Sequence, residues 1–78
     1  MWLVALRKLY EAQVAESTAV IDTFLQASVG VADHDNFMKT IKLQFDKRVH
    51  ARHAISEIDE ITKNLTKEKD VRKENKEN

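Results

Sequence analysis

The chain has no cysteine, no proline and a single glycine, Gly30, in 78 residues. Each absence excludes something. Without cysteine there is no disulfide or thiolate-zinc site to reinforce a small fold, and no thiol nucleophile. Without proline nothing breaks a helix from within. One glycine cannot build a Gly-rich loop that cradles phosphate. No apolar run approaches the ~20 residues of a membrane span. The run Trp2-Leu3-Val4-Ala5-Leu6 is stopped by Arg7-Lys8, whereas a secretory signal places its basic residues ahead of a longer apolar stretch. The expectation is a cytoplasmic protein with no membrane partner. In that setting the glycosylation triplet Asn64-Leu65-Thr66 carries no meaning.

Charge of one sign is also lacking. Lys+Arg and Asp+Glu are both 13, so no global field draws nucleic acid or a lipid surface. The balance hides three blocks. Residues 1–36 hold two basic and five acidic side chains, residues 37–56 five basic and one acidic, and residues 57–78 six basic and seven acidic. Only the middle block, at net +4, has a sign of consequence.

What is present is helix-period apolar patterning on both sides of Gly30. Leu3, Leu6, Tyr10, Val14, Ile21, Phe24 and Leu25 recur at three- and four-residue steps and predict a helix over about 2–29. Leu9, Val20 and Ala27 widen its stripe beyond what one partner helix covers. Gly30 suits the left-handed position just past a helix end, where a side chain would clash. Asp33 is the expected N-cap of a second helix, with Asp35 in its first turn, where the dipole favours an acid. That helix is expected over about 34–66. A turn at 30–33 brings the two back antiparallel.

The second helix has an uneven apolar face. Phe37, Ile41, Phe45 and Val49 lie on one side, and Ile55, Ile58, Ile61 and Leu65 on a side rotated by more than ~90° at 100° per residue. A coiled-coil repeat drifts only ~20° per heptad. This predicts different neighbours for the two halves, or a bend between Arg48 and Ala54. Residues 67–78 are nearly all charged or polar and read as a charged tail, either frayed helix or disordered. The expected fold is therefore all-α: an antiparallel two-helix hairpin that dimerises into a four-helix bundle.

Little supports catalysis. Ser17, Ser28 and Ser56 fall inside helices, and a hairpin offers no cleft that desolvates a substrate. No catalytic residue, metal or cofactor is expected. His50, His53 and Glu57 have helical spacing for one metal face but form an incomplete ligand set. Pairs from Asp46 to His50 and from His53 to Glu57 are favoured over metal binding. The candidate partner-binding residues are Arg48, Arg52, Lys42, Lys47, His50 and His53 on the basic stretch, together with Trp2, for which core packing is the first expectation and an exposed aromatic anchor the alternative. Arg48 and Arg52 sit on the apolar flank, where an arginine packs its stem and keeps its head in water. The expected function is a non-catalytic interaction module that presents a helix face to another protein. The alternative is a nucleic-acid-binding regulator using the basic stretch. Asp46 and Glu57 interrupt that stretch, and no aromatic joins it to stack on a base.

Overall fold

The computed structural model describes the backbone of residues 2–26 and 34–77, and the side chains of residues 2–26 and 36–67. Two helices account for all of it: α1, Trp2–Gln26, and α2, His34–Glu77. The expected left-handed Gly30 and the N-cap Asp33 lie outside the described residues. The helical backbone of α2 passes the expected boundary at 66 and runs on to Glu77. At 1.5 Å per residue its 44 residues account for most of the 71 Å length of the molecule, which is 16 Å across in both other directions.

The helices pack antiparallel. Phe24 meets Phe37 at 5.7 Å between ring centroids, next to the connection. Arg48 reaches Thr18 in the middle, and Arg7 reaches Asp59 toward the open end. α1 has no acid in its first turn and no base in its last. Its dipole is therefore uncompensated by its own side chains, and packing against α2 is what holds it helical.

The contact line follows a seven-residue repeat on both helices. On α1 the covered positions step through Leu3, Arg7, Tyr10, Val14, Ser17, Ile21 and Phe24; on α2 they step through Phe37, Ile41, Gln44, Arg48, Ala51, Ile55 and Ile58. Steps of three and four in alternation are the seam of a two-helix coiled coil. The seam is thin. Among the described residues only Ala51 and Ile58 are buried apolar side chains, and Ser17 is the buried polar one.

This corrects the expected rotation of the second helix. α2 keeps one side against α1 from Phe37 to Ile58, and no change of neighbour is needed. The apparent rotation arose because the middle of the seam is polar or small, at Gln44, Arg48 and Ala51, while large apolar residues stand just outside it. Phe45 is 52% and Val49 50% exposed. Periodicity of apolar residues followed the exposed pair; the chain turns the polar pair, partly covered, toward α1.

Candidate functional site

With so thin a seam, the chemistry of this chain lies on its two long flanks, each marked by a shallow groove between the helices. One groove, of about 400 Å³, is lined by Arg7, Glu11, Val14, Arg52, Ile55 and Ser56. The other, of about 210 Å³, is lined by Gln13, Glu16, Ser17, Gln44 and Lys47. The seven-residue repeat assigns further side chains to each. Met38 and Phe45 lie fourteen and seven before Arg52, and Val49 lies seven before Ser56, so all three belong to the first flank. Leu6 lies seven before Gln13, Leu9 seven before Glu16, and Ile61 fourteen after Lys47, so these belong to the second. Trp2, seven before Leu9, joins the second flank at its open end.

The first flank is charged toward the open end. Arg7 donates from Nε and an Nη to the two carboxylate oxygens of Asp59, at 2.9 and 3.1 Å. Its other Nη donates to Glu11. The hydrogen bond from Arg7 holds the Asp59 carboxyl below the ordinary aspartate value, and the same bond raises Arg7 further. Arg7 thus pairs with Glu11 one turn along α1 and with Asp59 from across the seam. Toward the connection the same flank turns apolar, through Phe45, Val49, Met38 and Leu25, all exposed.

The candidate basic residues do not form one surface. Arg48 lies part-buried in the seam, and its Nε donates to Thr18 Oγ1 at 2.9 Å. Its head pairs with a hydroxyl where an acid or water was expected. Arg52 is exposed on the first flank, and none of the ion pairs among the described residues includes it. Lys47 lines the opposite groove. Lys42, seven before Val49 and so on the first flank, pairs with Asp46 at 2.8 Å, which raises the lysine above its ordinary value. Asp46 is therefore taken by Lys42, and the pairing expected for it with His50 is not found among the described ion pairs. His50 instead sets its ring edge against Tyr10, 6.1 Å away. His53 meets Glu57 at 3.3 Å, as expected, an ion pair whenever the imidazole is protonated. Trp2 is 89% exposed.

Helical geometry thus distributes the cations around α2. Lys42, Lys47, Arg48, Arg52 and His53 fall at five different positions of the repeat. Among the described residues no group of three His, Cys, Asp or Glu side chains is placed to hold a metal. None of the described helices is long and apolar enough to cross a membrane. Thr18, Asp59 and Glu16 carry contacts or line grooves that the apolar pattern did not single out. A strict seven-residue count from Val14 would have placed Arg7 in the seam and Glu11 and Thr18 beside it. No family model matches the chain, and neither a curated protein nor a solved structure is significantly similar to it.

Proposed function

We propose that this chain is a non-catalytic, cytoplasmic interaction module: a hairpin that associates with itself into a four-helix bundle and presents a remaining helix face to another protein. One observation carries the proposal. Among the described residues two apolar side chains are buried, whereas eleven large ones, from Trp2 to Leu65, are 40% exposed or more. Large apolar residues recurring along both flanks of a small chain, with so few enclosed, favour association. The flank with Met38, Phe45, Val49 and Arg52 is the face offered to the partner protein. It pairs apolar contact area with an uncommitted guanidinium, a combination enriched in binding hot spots. The nucleic-acid alternative draws no comparable support, because the cations are scattered around α2 and one of them, Arg48, is spent on the seam.

Affinity capture from the source cells tests the proposal. A protein partner recovered in defined stoichiometry, and lost when Phe45 and Val49 are both replaced by Ser, is the expected result. Recovery of nucleic acid alone, released with rising salt, would overturn it in favour of the alternative.

A further inference from the structure

We propose that the flank bearing Glu16 and Lys47 is the docking face for a second copy of this chain, with the two-fold axis parallel to the helices. α1 of each copy then lies along α2 of the other. This rests on the self-association proposed above and specifies its face and its geometry.

Three observations converge on this. First, the chain exposes 6696 Å². A compact monomer of 9.0 kDa exposes only about 4,900 Å². Part of the excess belongs to α2 beyond the level of Trp2, where it runs on to Glu77; a standard interface takes roughly 800 Å² from each partner. Second, the net charge is zero, so no general repulsion keeps copies apart.

Third, the flank is complementary to itself. Glu16 and Lys47 line one groove from opposite helices, yet neither takes part in any of the described ion pairs. An axis along the helices keeps each residue at its level and exchanges the helices. Glu16 then faces Lys47 of the partner subunit, and the reciprocal pair forms by symmetry, as an isologous interface requires. The same operation sets Trp2 against Ile61 of the partner subunit and Leu9 against Ala54 of the partner subunit. Nearer the connection it sets Val20 against Leu43 of the partner subunit. Apolar meets apolar at these three levels, opposite charges meet at Glu16 and Lys47, and Leu6 falls opposite Glu57 of the partner subunit. An axis across the helices at that level would bring Glu16 to Glu16 and Lys47 to Lys47. Either axis makes every neighbouring pair in the bundle antiparallel, so the pairing of charges is what selects the axis along the helices.

The test is a charge-reversal complementation. Glu16→Lys makes both positions basic, and Lys47→Glu makes both acidic. Each variant alone should dimerise at least about tenfold more weakly by sedimentation, because two like-charge contacts replace two attractive ones. A 1:1 mixture with one variant ¹⁵N-labelled should form heterodimers at close to wild-type affinity, read by native mass spectrometry. Emission of the single tryptophan should shift to the blue as they form, because Trp2 is covered in the dimer. A wild-type dimer untouched by either reversal would overturn this face and leave self-association standing. A wild-type chain that stays monomeric would overturn both. Rescue by the double reversal within one chain, with none on mixing, would place the pair inside one hairpin and overturn the proposal.

Discussion

The seam and the flanks of this hairpin are composed the wrong way round for a self-sufficient fold. The seam holds Arg7, Ser17, Gln44 and Arg48 among its contact positions, and its most enclosed residue is an alanine, Ala51, at 0% exposure. The flanks hold Trp2, Leu9, Phe45 and Val49. Apolar burial stabilises by roughly 25 cal/mol per Å² removed from water. A seam that is polar or small at Arg7, Ser17, Gln44, Arg48 and Ala51 therefore contributes less than an apolar one would, and eleven large apolar side chains among the described residues stay exposed in the single hairpin. Two helices make a register here, not a core. The remaining stability has to come from whatever covers the flanks.

The comparison breaks most easily at the few residues that are enclosed. Ile58 is 5% exposed. Truncating it in Ile58→Ala should cost about 2–4 kcal/mol. A domain this small has little more than ~5 kcal/mol in all. Helicity measured by circular dichroism should fall at 25 °C and the melting transition should broaden. Phe45→Ser on the flank should leave both nearly unchanged. If the two variants behave alike, the seam and the flanks are not distinct environments.

The two arginines sharpen the contrast at smaller cost. Arg48→Gln removes a part-buried stem and its bond to Thr18, and should lower stability by about 1 kcal/mol. Arg52→Gln should stay within about 0.5 kcal/mol, as exposed substitutions do, while weakening capture of the partner protein. Thermal melts of the two variants, with the capture assay, separate seam from surface. Equal melting temperatures would place both arginines outside the seam.

The smallest effect is in acid. Asp59 is held below its ordinary value by Arg7, so the folded state favours the charged carboxylate. That contribution is complete above the ordinary aspartate pKa, about 3.9, and is lost as the pH falls through the lowered folded value. Asp59→Asn should remove this part of the acid limb in a pH series of melting temperatures. It should leave the slope above pH 5 unchanged. A steeper acid limb in the variant would contradict the assigned pairing.

Much of the architecture is legible in the sequence. Two helices, Trp2–Gln26 and His34–Glu77, lie on either side of the only glycine in the sequence, in the order the patterning predicts. The seam of α2 was not legible, because apolar periodicity assumes that buried positions are apolar. Phe45 and Val49 satisfy that assumption and are exposed; Gln44 and Arg48 violate it and are covered. Among the candidate site residues, the His53–Glu57 pair follows from local spacing, whereas Trp2, expected first of all to pack in the core, is 89% exposed. The attachment of Arg48 to Thr18 and of Arg7 to Asp59 depends on which α1 residue stands level with which α2 residue, and local pattern carries no such information. The placing of Glu16 on one groove with Lys47 was hidden for the same reason.

Sedimentation equilibrium of the full chain over a hundredfold range of concentration, with Trp2 emission recorded in parallel, tests the central claim most directly. A second copy covering the flank predicts twice the 9.0 kDa chain mass, with a red shift of Trp2 emission as dilution splits the pair. A single chain mass at every concentration, together with a sharp cooperative melt, would show that the thin seam suffices and would contradict the account.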